Sequence, residues 1–369
     1  MTLSSAMKRS KPGYRARLAA MAPRERRAAA VVAGCAALLV LSLFLALGIG
    51  AVSISPGVIG RLILNALGAE FVWETETRDA LVFWSIRVPR VAAGCLVGAA
   101  LALAGATMQG IFRNPLADPA LIGVSSGAAL AAVAVIVVGG GMVGTLPPEI
   151  RAFALPVAAL AGGLTATLIV YRLGSVGGQI MAATTLLAGV AITAIAQAGI
   201  GFLIFLSDEQ QLRDLSFWTL GSVAGLNWSL LLPAAVLMAG PILLLPRLAG
   251  ALNAMLLGER ESFHLGHDPQ RVKRLAIGLS AVAVGGAVSI SGVIGFVGLV
   301  VPHIVRLLAG PDHRWLLPGT ALLGAGLFLL ADLLARMIVL PAELPIGVVT
   351  ALVGGPFFIW LLVRRRDWG

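Results

Sequence analysis

Charge is scarce in this 369-residue chain: Asp, Glu, Lys and Arg together make up 12% of it, against 59% hydrophobic residues and a mean hydropathy of +0.96. A water-soluble domain has no interior large enough for that apolar fraction, so an ordinary globular enzyme is excluded and an integral membrane protein is implied. Cysteine is nearly absent. Cys35 and Cys95 both lie inside apolar runs, which excludes a disulfide framework and leaves two small core residues. Lysine occurs only at positions 8, 11 and 273. None has the GxxxxGK[ST] setting of a P-loop, so any use of ATP belongs to a partner. Aromatics are 6% of the residues while glycine numbers 45, a balance that suits helices whose backbones approach closely in lipid.

Other chemistries are missing too. No carboxylate pair, Ser-His-Asp set or metal-ligand spacing stands out, so neither a catalytic nor a metal site is expected. Glycine triplets such as GVIGFVG lack the preceding strand and the ribose-binding acid of a dinucleotide fold. The net charge of +10 sits at the two ends and in short loops, which is an orientation signal and not a nucleic-acid footprint.

With about 20 apolar residues needed per crossing, the chain reads as an all-α polytopic membrane protein. Ten spans are expected, at 28–50, 88–108, 120–140, 152–171, 181–206, 229–248, 274–291, 293–309, 316–338 and 346–363. The run from Ala276 to Leu308 fits one bent helix or a tight pair; glycines at 292, 295 and 298 permit a sharp reversal, and the pair is preferred. An even number of spans puts both termini on one side, and the basic residues then collect on that side, identifying it as cytoplasmic. The expected organisation is a basic leader at 1–27, a permease domain at 28–365 with a cytoplasmic loop at 249–273, and a tail at 366–369. The leader followed by an apolar run also describes a secretory signal, but the run from Ala28 to Ile49 is too long for one and reads as a retained first helix.

The stretch RNPLADP, Arg113 to Pro119, interrupts two apolar runs. Pro115 and Pro119 push Asn114 and Asp118 out of helical geometry, so the second span ends near Phe112. Asp118 is placed to cap the next helix with Pro119 at its first position.

That turn lies within IRVPRVAAGCLVGAALALAGATMQGIFRNPLADPALIGVSSGAAL, which strongly resembles the FecCD-type permeases, membrane subunits of ABC importers for vitamin B12, haem and ferric siderophores. GFVGLVVPHIVRLLAGPDHRWLLPG and ADLLARMIVLPAELPIGVVTALVGGPFFIWLL extend the resemblance over residues 50–365. It implies a type II ABC importer architecture in the bacterial inner membrane and a homodimer with the path along its interface. Two cytoplasmic ATPase subunits would drive transport, and a periplasmic binding protein would deliver the ligand. No resident cofactor is implied; the ligand is cargo.

The resemblance also assigns expected roles. Leu257, Gly258 and Glu259 through Leu265, Gly266, His267 and Asp268 resemble the family's coupling region, two short helices joined by glycines that dock on the ATPase; a solvated loop is the alternative. Arg78 and Arg336, with Arg61 as a weaker candidate, match arginines that pair with acids on the binding protein. A second role is open to Arg336, because Asp332 lies one turn earlier and an i, i+4 ion pair lowers the cost of either charge near lipid. The small residues Ala188, Gly189, Ala191, Ala194, Ala198 and Gly199 are expected to wall or gate the path, with simple helix packing as the alternative.

For the substrate, DEQQLRDLSFW within residues 202–223 resembles the haem-permease branch, with ferric siderophore and cobalamin as runners-up. Of the four histidines, His264, His267 and His313 fall in cytoplasmic loops. His303 reads as helix packing and not iron ligation, and Met108 and Met181 likewise. An ion-coupled secondary transporter is the rival class, but it usually needs ionisable residues within its spans; here only Asp332 stands out.

Overall fold

The computed structural model describes residues 22–50, 52–68 and 77–366. Most of the leader 1–27 and of the tail 366–369 lies outside the described residues. Among the described residues, seven helices are long and apolar enough to cross a membrane, and three shorter apolar helices stand at the other three expected spans. They are α1 (Pro23–Gly48), α3 (Arg78–Phe112), α4 (Val124–Val137), α5 (Pro148–Gly174), α6 (Ala182–Leu206), α8 (Trp228–Leu244), α11 (Pro269–Ser291), α12 (Val297–Ala309), α13 (His313–Met337) and α14 (Ile346–Arg366). Further helices at the ends of the bundle include α2 (Pro56–Ala66), α7 (Glu209–Leu220), α9 (Ala249–Leu257) and α10 (Glu259–His264).

Side chains and prolines set many of the starts. Asn227, Asp268 and Asp312 each accept from a backbone N–H in the first turn of α8, α11 and α13, and proline opens α1, α5 and α11. Both devices settle the N–H groups that a helix start leaves unpaired.

The near end of the bundle carries the start of α1, the turn 113–118, a hairpin of β1 (Ser175–Val176) and β2 (Gln179–Ile180), and the α9–α10 pair. The far end carries α2, α7 and the loop leading into α14.

The bundle is built around α3. In its most apolar stretch 83% of residues are buried, against 17% for α1 and for α6. It packs against α8, α11, α12 and α13. Small residues make that centrality physical: with few large side chains between them, backbones meet directly. A Cβ added at Gly105 would lie 1.9 Å from the Gly298 carbonyl oxygen of α12, and one at Gly98 would lie 2.5 Å from that of Gly324 in α13.

The apolar run 276–308 is a pair, as expected. α11 ends at Gly292, φ 68°, and the chain turns again at Phe296, φ 69°. The third span differs from expectation. Pro119–Ile122 is a 3-10 turn, and Gly123, φ 78°, redirects the chain so that α4 begins at Val124. Asp118 does act as a cap, accepting from the Ala120 N–H at 2.7 Å, and α3 does end at Phe112.

Candidate functional site

At the near end, α9 and α10 form an exposed knuckle. Gly258 between them has φ 134°, and Gly266 after α10 has φ 87°, both favouring glycine. Leu257 is 68% exposed, Leu265 59% and Phe263 65%, a cluster of apolar side chains facing outward beside charged neighbours. His267 is half-buried. Its N–H donates to the Ser262 carbonyl at 3.0 Å.

Two members of this expected set have structural duties. The carboxylate of Asp268 accepts from the Gln270 and Arg271 N–H groups and so caps α11. Glu259 pairs with Lys273 Nζ at 2.6 Å. Behind the knuckle, Asn253 of α9 donates to Asp312 at 2.6 Å and accepts from the His313 N–H at 2.8 Å. Hydrogen bonds from the Arg314 side chain outweigh the effect of partial burial and hold the Asp312 carboxyl at about 2. The turn residues beside it are ordered by their own chemistry. Asn114 Oδ1 accepts from the Leu116 N–H at 2.9 Å, and Arg113 takes a left-handed conformation, φ 50°.

On the bundle wall, α6 divides the six expected pathway residues between two faces. Ala188 and Gly189 are buried in the chain's own core; a Cβ at Gly189 would lie 1.7 Å from the Leu121 carbonyl oxygen. Gly189 serves the packing alternative, because the 119–122 turn occupies the space in front of it, and Ala188 is buried next to it. Gly199 is half-buried against Leu130. Ala191, Ala194 and Ala198 lie on the exposed face, flanked by Leu187, Val190 and Phe202.

At the far end Arg78 is exposed and Arg61 is half-buried, with Arg61 Nε donating to the Gly57 carbonyl at 3.3 Å. Arg336 departs from the docking expectation. It is 6% exposed, its Nη2 donates to the Ala46 carbonyl at 2.8 Å, and its Nε lies 3.8 Å from Asp332. A guanidinium held inside the bundle this way has no face to offer a soluble partner, so the pairing alternative is the one this geometry supports.

Asp332 has a stronger partner that sequence spacing did not reveal. Arg90 grips it with Nε and Nη2, at 3.0 and 2.8 Å, and reaches Glu343 with Nη1 at 2.9 Å. Arg87 is buried nearby and donates to the carbonyls of Leu47, Ile49 and Val52. Three guanidiniums and two carboxylates therefore tie the ends of α1, α3 and α13 together. The motif IRVPR carried the signal, two arginines entering an apolar run, but local spacing offered them no partner.

Of the remaining candidates, His303 and Met108 are packed as expected and Met181 is not. His303 is 4% exposed with its ring against Phe357, and Met108 is fully buried. Met181, 50% exposed, stands at the start of α6. The helix α7, which contains most of DEQQLRDLSFW, is amphipathic and lies across the far end, with Leu215 buried and Phe217 63% exposed.

Comparison with known proteins bears on this arrangement. A family model described as the FecCD transport family matches residues 38–364. The hemin transport system permease protein HmuU of Yersinia pestis is 46% identical over 313 residues, covering 84% of this chain and 92% of that protein. The cobalamin import system permease protein BtuC of Halobacterium salinarum is 42% identical over 294 residues, covering 79% and 75%. The vitamin B12 import system permease protein BtuC of Escherichia coli O9:H4 is 41% identical over 332 residues, covering 89% and 93%. Among solved structures, a metal-chelate type ABC transporter in an inward-facing conformation superposes with a TM-score of 0.77 at 33% identity, over 91% of this chain and 99% of that one.

Proposed function

The chain belongs to the FecCD transport family, whose members here are permease subunits of ABC importers, and from that premise we propose that its cargo is haem. The observation that carries this choice is the 46% identity to the hemin permease, against 41–42% for the cobalamin permeases. A ferric siderophore, and then cobalamin, are the alternatives within the same mechanism.

In this reading the near end faces the cytoplasm of a bacterium and the far end the periplasm. Two copies associate through exposed apolar faces, and the stripe of Ala191, Ala194 and Ala198 on α6 walls the path. Haem is a flat apolar ring with two propionates, so such a wall needs room and few fixed ligands. The α9–α10 knuckle receives the ATPase. Leu257 and Leu265, now exposed, each contribute about 1.5–3 kcal/mol if fully covered. Leu257→Glu together with Leu265→Glu is therefore expected to abolish co-purification of the ATPase while the melting temperature of the permease stays unchanged. Co-purification at the parental level would remove the knuckle from the docking surface.

Arg78 is the docking residue of choice on the far end, because it is the exposed member of the three expected there. The test is ATP hydrolysis by the reconstituted complex. Haem-loaded binding protein is expected to stimulate it and cobalamin to leave it at the basal rate, with stimulation lost in Arg78→Glu. Stimulation by cobalamin or a ferric siderophore alone would reassign the cargo.

A further inference from the structure

Ile180 closes β2 two positions before α6, and side chains from the first turns of α11 hold both its backbone polar groups. Its N–H donates to Gln270 Oε1 at 2.8 Å, and its carbonyl accepts from Lys273 Nζ at 2.9 Å. The same two side chains hold Glu259, the first residue of α10. Lys273 Nζ lies 2.6 Å from Glu259 Oε1, and Gln270 Nε2 donates to Glu259 Oε2 at 3.4 Å.

The burial makes this more than a surface contact. The Lys273 side chain is 5% exposed and Ile180 is 3% exposed. Burying an ammonium is costly unless it is paired and hydrogen-bonded. Here its two protein partners, a carboxylate and a carbonyl, belong to different segments, one on the knuckle and one at the foot of α6. Charge-assisted bonds of this kind resist stretching more than neutral ones. A shift of α10 relative to α11 therefore acts on Ile180 through a single side chain.

We propose that Lys273 and Gln270 are positioning residues that pass displacement of the α9–α10 knuckle to the start of α6. This rests on the reading above, in which the knuckle docks the ATPase and α6 walls the path. Neither residue touches cargo or nucleotide. Their task is to make the foot of α6 follow the knuckle, so that the two ends of the path respond to nucleotide together.

The test follows Met181, the half-exposed residue after Ile180. On a Cys35→Ser, Cys95→Ser background, the thiol introduced by Met181→Cys is labelled with a membrane-impermeant maleimide in the full complex with its ATPase. Labelling rates are compared without nucleotide and after trapping with ATP and vanadate. The background protein is expected to show a nucleotide-dependent change in rate. Lys273→Met is expected to shrink that change by about tenfold, within the roughly 5–150-fold range of typical couplings between sites. Vanadate trapping per complex stays at the parental level, a pairing that simple loss of structure would not give. Lys273→Arg, which keeps a cationic donor, restores most of the change.

If Lys273→Met yields no folded complex, Gln270→Leu, which removes no formal charge but loses the bond to the Ile180 N–H and the long one to the Glu259 carboxylate, carries the same comparison. A full nucleotide-dependent change in the folded variant overturns the relay and leaves the importer reading standing. No change in the background protein, with ATPase bound and trapped, overturns both.

Discussion

Asp332→Ala is expected to remove most of the folded protein from the membrane. Asp332 is 1% exposed and accepts from Arg90 at 2.8 and 3.0 Å, with Arg336 at 3.8 Å. Without it, two buried guanidiniums would keep, among the described residues, Glu343 and the Ala46 carbonyl as partners. Breaking a buried pair from one side typically costs about 3–5 kcal/mol, a large part of a total stability of roughly 5–15 kcal/mol. Asp332→Asn, which retains an acceptor of the same shape, is expected to fall between that variant and the parent. Yield of monodisperse protein and melting temperature in detergent read the effect. The same experiment separates the two roles of Arg336. As a buried tie, Arg336→Ala lowers the melting temperature; as an exposed docking residue it would leave stability intact and weaken only the binding protein's grip.

Gly105→Val is expected to be comparably damaging for a different reason. The atoms nearest an added Cβ are Gly298 O, C and Cα, at 1.9, 2.5 and 2.6 Å. All three are backbone, so no side chain can rotate away and α3 must separate from α12. Overpacking in a well-filled core costs about 1–3 kcal/mol and sometimes more. This contact lies at the centre of the bundle, so the upper part of that range or beyond is expected. Gly201→Ala is the control. It lies on the exposed face of α6 with no atom within 4 Å of an added Cβ, and its melting temperature should match the parent. Equal stability for both variants would mean that α3 and α12 are not in backbone contact.

What the sequence made legible, and what it hid, follows from the range of each signal. Apolar runs are local, so every span was visible, and so was the reversal after Ser291. Proline placement near Phe112 and Pro119 was legible for the same reason. The amphipathic ends α2 and α7 escaped because their composition resembles that of loops at a membrane surface.

Side-chain partners across the bundle were invisible. The i, i+4 rule finds Arg336 beside Asp332, yet the tighter bond runs from Arg90, 242 positions away. A stripe of small residues on α6 says nothing about which face meets the chain's own core, and only contact with the 119–122 turn separates Gly189 from Ala194. Lys273 counted as one more positive charge on a cytoplasmic loop. Its burial against Ile180 and Glu259 depends on where a hairpin far away in sequence comes to rest.

The most direct test of the account is uptake into proteoliposomes holding this chain with its cognate ATPase, ATP inside and haem-loaded binding protein outside. The expected result is haem accumulation that requires both ATP and the ATPase and exceeds uptake of cobalamin or a ferric siderophore offered in the same way. Preferential movement of either alternative would contradict the assignment of haem, and haem uptake without the ATPase would contradict ATP-driven import itself.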